Sequence, residues 1–317
     1  MARSDEARQL IGDRGAQVFV EMPCGQNGIP VLAVRATGLA EAWELSLLAL
    51  YGHGCEIRTE YDHKDGSGNY LDPPSLDCSM RIIITDPFSE PMIHRCFPGG
   101  LDALEEYRQE VLDGIKDHWR RNPDDPADQR WEYTYHERIF NYCLPGQRQG
   151  IDQIEAVVDG LCKSPHSRRQ QAVVWKVWED LGIHDPACLQ SLWFRILPGP
   201  DGVWRLNMNV RFRSRDAYDA AFMNCFALAA LMQRVAQKVA ERSGREVKLG
   251  RYVDESDSYH IYGQRIADFQ ARFLKQVGVR SFEDRTWTME FAEPLFEEAR
   301  PKIAEKIRTH DEERGHK

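Results

Sequence analysis

The clearest pattern in the chain runs over residues 204–214. Trp204, Leu206, Met208, Val210 and Phe212 alternate with Arg205, Asn207, Asn209, Arg211 and Arg213. A period of two predicts a strand with one apolar and one polar face. Elsewhere the spacing is helical. Leu101, Leu104, Tyr107, Val111, Leu112 and Ile115 predict a helix over 101–119, and Ile151, Ile154, Val157, Val158 and Leu161 predict another over 151–162. Residues 40–50 read as an amphipathic helix. Residues 222–232 are apolar nearly all round, which predicts a buried helix. Short apolar runs at 18–20, 31–34, 81–85, 172–175 and 191–197 predict strands. Residues 61–74, rich in Asp, Gly and Pro, predict a loop of the kind that covers ligands. The first fifteen residues are polar and predict a frayed end. Residues 122–129 predict a polar connection, and the stretch after 264 predicts helices and a charged tail.

Composition narrows the class. The chain of 317 residues is 42% hydrophobic and 29% charged, as in a soluble globular protein with a substantial core. No apolar run has the length of a membrane span, and the N-terminal residues lack a secretory apolar region, so a cytoplasmic protein is expected. Eight scattered cysteines without a Cys-x-x-Cys pair predict reduced thiols, with no disulfide frame or zinc site. A formal net charge of -9 argues against general nucleic-acid binding. Any phosphate would have to be held by a local arginine cluster.

Candidate chemistry gathers at a few places. Cys188 follows a turn at Pro186 and stands at the mouth of the strand expected over 191–197. It is either a buried hydrophobe or a nucleophile held still yet reachable. Arg168 and Arg169 precede a strand; they are a solvated pair or a fork for phosphate oxygens. Arg213 offers a second such source. Glu110 falls near an apolar stripe, either paired with Arg108 or Lys116 or half-buried with a raised pKa suited to proton transfer. Asp216 can cap the helix after it. Asn224, inside the buried helix, is a primary amide that needs partners. His260 and Tyr262, two apart on an expected strand, would share a face and could hold a sugar hydroxyl. Trp131, Tyr133, Tyr135 and His136 could wall a flat ligand.

The order of these pieces resembles the thymidylate synthase and pyrimidine-nucleotide hydroxymethylase family. The likeness runs through Asp152, Gln153 and Ile154; Ser167, Arg168 and Arg169; Trp175; Pro186, Ala187 and Cys188; Arg213, Ser214, Arg215 and Asp216; Asn224; and residues 257–262. The resemblance implies an α/β (α+β) fold with a large mixed β-sheet, flanking helices and a sheet face that forms a homodimer. It implies one domain over 1–317, with 1–15 and 308–317 flexible, 15–145 divergent and 150–265 the family core. It implies a cytoplasmic folate-dependent transferase acting on a pyrimidine nucleoside monophosphate, with 5,10-methylenetetrahydrofolate as co-substrate and no metal, membrane or nucleic acid. Cys188 would attack C6 of the base, and C5 would take the one-carbon unit. Glu110 would move protons through water, and Tyr135 would stand for the family's active-site tyrosine. Arg213 and Ser214 would bind the 5′-phosphate, with Arg168 and Arg169 supplied by the partner subunit. Asn224 would read the base, His260 and Tyr262 the sugar, and Asp216 the pterin.

The chain departs from the family pattern at Leu189, where histidine is usual, and at Phe212, where glutamine is usual. Its last residues are polar, where a thymidylate synthase carries an apolar tail that closes for hydride transfer. That implies 5-hydroxymethylation of CMP, dCMP or dUMP, as in nucleoside-antibiotic pathways, with reductive methylation of dUMP as the alternative. Asn224 permits uracil or cytosine if its amide can flip. A binding-only homologue and a cysteine hydrolase using His184 or His260 are the rival classes.

Overall fold

The computed structural model describes residues 2–22, 28–121, 128, 130–147 and 149–313. Most of the connection expected over 122–129, and the tail from 314, lie outside the described residues. In chain order the strands are β1 (Val18–Glu21), β2 (Val31–Ala36), β3 (Cys55–Ile57), β4 (Ser75–Ile84), β5 (Ile93–His94), β6 (Gln171–Val173), β7 (Leu189–Pro198), β8 (Trp204–Phe212), β9 (Arg215–Asp216), β10 (Val247–Ile261) and β11 (Thr286–Trp287). The helices are α1 (Arg3–Ile11), α2 (Leu39–His53), α3 (Leu101–Asp113), α4 (Tyr135–Phe140), α5 (Gln153–Lys163), α6 (Val177–Asp180), α7 (Ala221–Ser243), α8 (Ile266–Asp268), α9 (Lys275–Val279) and α10 (Met289–Glu313). The chain divides into two compact units. One comprises Met1–Pro98, Arg211–Asn224 and Arg251–Met289; the other comprises Gly99–Val210, Cys225–Gly250 and Glu290–Lys317.

The first unit is built on a mixed sheet in the order β1-β2-β4-β10. β1 runs antiparallel to β2, β2 parallel to β4, and β4 antiparallel to β10, with Val34 opposite Ile82 and Ile82 opposite Asp254. β3 adds to β4, and β9 lies parallel to β10. α2 packs on β2 and β4. Its pattern predicted one apolar face, yet Glu44 and Ser46 are buried with the leucines. Glu44 is tolerated because Arg285, Arg14 and His94 surround its carboxylate, at 2.5, 2.8 and 2.9 Å. Residues 3–11 depart from the frayed end that was expected. They form α1, which buries Ala7 and Ile11 and is tied by Glu6 to the Tyr51 hydroxyl at 2.9 Å.

In the second unit, β6 pairs antiparallel with β7, and β8 follows β7 in the sheet. The alternation of β8 is kept: Leu206, Met208, Val210 and Phe212 are buried. α7 extends well past the expected helix, and Phe226 on it meets Phe296 on α10 edge to face at 6.0 Å. α3 is shorter than the expected 101–119. It stops at Gly114, whose φ of 66° is left-handed and ends the helix. The chain then turns through a short 3-10 segment, Asp117–Trp119, which sets Lys116 and Asp117 back against α3 and α4. Residues from 308 to Glu313, expected to be flexible, are helical.

Candidate active site

In the second unit the candidate nucleophile is held by its backbone. Cys188 directly precedes β7 and is half-buried. The turn before it is tied down at Ala187, whose N–H donates to Asp180 Oδ1 at 3.3 Å. Asp180 is itself buried and takes two bonds from Arg138, at 2.9 and 3.2 Å, and one from the Lys176 backbone at 2.6 Å. Gln190 donates to the Ala187 carbonyl at 2.9 Å. Such a scaffold lets a thiol stay reachable without a mobile backbone.

Tyrosine hydroxyls gather at the same turn. Tyr133 bonds the Cys188 backbone and the Tyr135 hydroxyl, and Tyr135 bonds the Leu189 backbone. The two rings lie 5.6 Å apart. Burial pushes both phenols well above their ordinary range, so they stay protonated at physiological pH, and their oxygens accept from the backbone N–H groups. Their positions follow from a helix start: Thr134 caps α4, accepting from Glu137 N–H at 3.1 Å, and places Tyr135 in the first turn. The expected candidate was Tyr135. Tyr133, its neighbour on the thiol's own backbone, was legible only as part of an aromatic tract.

Glu110 combines both readings made from the sequence. Lys116 Nζ sits 3.0 Å from Glu110 Oε2 and 2.8 Å from Glu106 Oε1. Burial nevertheless wins over this cation and raises the Glu110 pKa, with Glu106 and Asp117 adding to the rise. Arg168 and Arg169 are exposed in the segment before β6; among the described residues neither guanidinium has an acidic partner.

In the first unit the remaining candidates are brought together by backbone pairing. β9 lies along β10 with Arg215 opposite Tyr259 and Asp216 opposite His260. The Arg213 carbonyl accepts from Ser258 N–H at 3.2 Å, and the His260 carbonyl from Ala217 N–H at 2.7 Å. Arg213, Ser214 and Asp216 are therefore laid beside His260. Tyr262 lies one residue beyond the strand, its ring 4.6 Å from the His260 ring. Tyr61, from the expected loop 61–74, packs edge-on against Tyr262 at 5.6 Å.

His260 is buried, and its Nε2 has no hydrogen-bond partner among the described residues. Burial, with Arg213 nearby, lowers its pKa to about 4, so the ring is neutral at pH 7. Its Nδ1 is 3.2 Å from Ser258 Oγ, which donates to buried Asp77 at 2.9 Å. An ionised Asp77 takes the Ser258 proton, so Oγ must accept from His260 Nδ1–H. Nε2 is then a bare acceptor, which suits a hydroxyl donor. Ser258 was legible only as part of the motif 257–262, and Asp77 had no sequence signal, because β4 and β10 meet only in the sheet.

Asp216 does not cap α7, as its place in the sequence predicted. Its Oδ1 accepts from the N–H groups of Tyr218 and Asp219, at 2.9 and 2.8 Å, and so caps the turn before that helix. Burial raises its pKa to about 6. Asn224 is buried in the first turn of α7, and its Oδ1 accepts from Arg215 Nε at 3.3 Å.

The chain is similar to known proteins. The sequence profile of the thymidylate synthase family matches residues 104–281. A protein of Methanocaldococcus jannaschii named a candidate thymidylate synthase is 30% identical over 252 residues, covering 78% of this chain and 97% of that protein. One of Methanopyrus kandleri with the same name is 32% identical over 238 residues, covering 75% and 96%. The fold resembles thermostable thymidylate synthase A from Bacillus subtilis, with a TM-score of 0.54 over 78% of this chain and 86% of that one, at 19% identity. Among the described residues no helix is long and apolar enough to cross a membrane. The profile match and the two methanogen relatives establish that the chain belongs to the thymidylate synthase family, a folate-dependent one-carbon transferase acting on a pyrimidine monophosphate.

Proposed function

We propose that this enzyme hydroxymethylates C5 of a pyrimidine nucleoside 5′-monophosphate, using 5,10-methylenetetrahydrofolate and Cys188. The thiolate adds to C6, and C5 becomes the nucleophile that bonds the methylene carbon. C5 then loses its proton to water ordered by Glu110, tetrahydrofolate leaves, and water adds to the exocyclic methylene. Elimination of Cys188 closes the cycle. Tyr133 and Tyr135, neutral phenols whose oxygens accept from the backbone N–H groups of Cys188 and Leu189, hold the thiol turn. Arg213 and Ser214 take the phosphate, His260 and Tyr262 the sugar, Asn224 the base and Asp216 the pterin. Arg168 and Arg169, exposed without acidic partners among the described residues, fit donation across a homodimer to the partner's phosphate.

The observation that carries the water step is the last described turn of α10. It is polar and held down: Asp311 accepts from Trp119 Nε1 at 2.6 Å and lies 2.8 Å from His118 Nε2, and His310 lies 4.1 Å from the Trp119 ring. This fixed polar turn is not an apolar lid of the kind that excludes water for hydride transfer. The second reading, reductive methylation of dUMP, is favoured by the names of the relatives. Product mass separates the two. After incubation with methylenetetrahydrofolate and dUMP, UMP, dCMP or CMP, a hydroxymethyl gain with tetrahydrofolate release supports the proposal. A methyl gain with dihydrofolate supports the second reading instead.

A further inference from the structure

A cavity of about 300 Å³ in the first unit is lined by Arg95, Arg272, Lys275, Arg280 and Arg285, and among the described residues by no carboxylate. In a chain with a formal net charge of -9, this gathering runs against the overall field. Arg285 is matched to Glu44, at 2.5 and 2.8 Å. Arg272 has a loose partner in Asp268 at 3.9 Å. Among the described residues Arg95, Lys275 and Arg280 have no acidic side chain within ion-pair distance. Three crowded cations thus lack a countercharge, and an anion between them would relieve their repulsion.

The cations are set in place by their surroundings. Arg95 Nη1 donates to the Asp284 carbonyl at 2.8 Å, and its guanidinium carbon lies 4.9 Å from the centre of the Trp287 ring. Arg285 is buried, and its Nη1 donates to the Arg280 carbonyl, which ties the backbone at Arg280 to the buried pair with Glu44. Arg272 and Lys275 stand three apart where a π-helical turn, Phe269–Leu274, runs into α9. Such turns are frequent at functional sites. Cys96 also lines the cavity. Burial pushes its thiol up to about 11, with Glu44 adding to the rise and Arg285, Arg280 and Arg95 opposing it. The thiol is therefore neutral at pH 7 and gives the cations no anion of their own.

We propose that this cavity binds an oligophosphate, a chain of two or three linked phosphates, either free or at the end of a nucleotide. Guanidinium forks take phosphate oxygens in pairs, and Lys275 adds a point charge. A single phosphate group carries at most about two negative charges, short of three unmatched cations. A second or third phosphate makes up the difference. No aromatic side chain lines the cavity, so the phosphate chain is the part that is recognised. None of the lining residues has a part in the proposed reaction, so this inference stands apart from that reading.

The test is calorimetric titration of the full chain with phosphate, pyrophosphate, tripolyphosphate, ATP and citrate. Pyrophosphate and tripolyphosphate should bind about tenfold or more tighter than phosphate or citrate, as for one further charge-assisted contact. Lys275→Gln paired with Arg280→Gln, both exposed, should weaken pyrophosphate about a hundredfold and leave the denaturant midpoint unchanged. Arg95→Gln alone should weaken it about tenfold. Arg213→Gln, in the phosphate site proposed for the substrate, should leave it unchanged. Bound pyrophosphate should also slow alkylation of Cys96, read by peptide mass, in the wild type and not in the double variant. ATP binding tighter than tripolyphosphate would make a nucleotide the source, and equal or weaker binding a free chain; either supports the site. Absence of pyrophosphate binding overturns the proposal, as does citrate binding equally well. An unchanged affinity in both the folded double variant and Arg95→Gln also overturns it. Loss of binding in Arg213→Gln alone would put the anion at the substrate site and overturn it too.

Discussion

Lys116 Nζ lies 3.0 Å from Glu110 Oε2, and Glu110 still has a pKa above that of an ordinary glutamate. Burial opposes the charged carboxylate more than this single cation, shared with Glu106, supports it. Lys116→Met should therefore raise the Glu110 pKa further, since it removes the principal group holding it down. If ionised Glu110 is the proton acceptor, the acid limb of the pH–rate profile should move to higher pH in that variant. Glu110→Gln should remove the limb and cost about 10²–10⁴-fold in turnover. An acid limb at the same pH in Lys116→Met would separate Glu110 from the rate.

The thiol turn makes a stability prediction and a chemical one. Asp180 joins Arg138 to Ala187 N–H, and Asp180→Ala would take away the most buried of three carboxylates around that guanidinium and leave the Ala187 N–H unpaired. About 1–3 kcal/mol of stability should be lost, read by denaturant midpoint. Cys188→Ser should leave that midpoint unchanged and nucleotide binding intact, yet abolish product formation. Normal turnover in Cys188→Ser would end the covalent mechanism.

The pair of Asp77 and His260 should shape the pH dependence of stability in opposite senses. His260 has a folded pKa of about 4, below its ordinary 6.5, so its contribution is complete above pH 6.5 and is lost as the pH falls through 4. That loss is on the order of 3 kcal/mol for a shift of this size. Asp77 has a folded pKa of about 6, above its ordinary 3.8, so its contribution is complete below 3.8 and is lost as the pH rises through 6. Thermal unfolding from pH 4 to 8 should show the acid-side loss shrink in His260→Gln and the alkaline-side loss shrink in Asp77→Asn. Coincident curves for wild type and both variants would refute the assignment. Asp77→Asn should also weaken the preference for a nucleotide over its 3′-deoxy analogue, because an asparagine NH2 can donate to Ser258 and reverse the polarity of His260.

Arg169→Ala should weaken the monophosphate by about tenfold, as for one charge-assisted contact, and leave the nucleoside almost untouched. Sedimentation should show a dimer for both proteins. Equal weakening of nucleoside and nucleotide would take Arg169 out of the phosphate site.

Much of the chain could be read from its pattern because the signals were local. The alternation of β8 gave its buried face, and the helical spacing gave α3, α5 and the start of α7. Pro186 before an apolar run placed Cys188 at the mouth of β7. Misreadings arose where a distant partner overrode local spacing. α2 is buried all round because Arg14 and Arg285 neutralise Glu44 and His94 hydrogen-bonds to it, and those residues lie far off in sequence. α3 ends early because Gly114 takes a left-handed conformation, which only its backbone reveals.

The sequence by itself determined the family and the residue types it brings: the thiol, the arginines, the amide and the histidine. It did so because they fall in a fixed order on elements that local periodicity defines. Only the tertiary structure decided how those groups are set. The orientation of the Asn224 amide depends on Arg215, held by Asp254 from another strand. The polarity of His260 depends on Asp77 across the sheet, through Ser258. Donor and acceptor directions are properties of hydrogen-bonded neighbours, and here the neighbours come together only when the sheet forms.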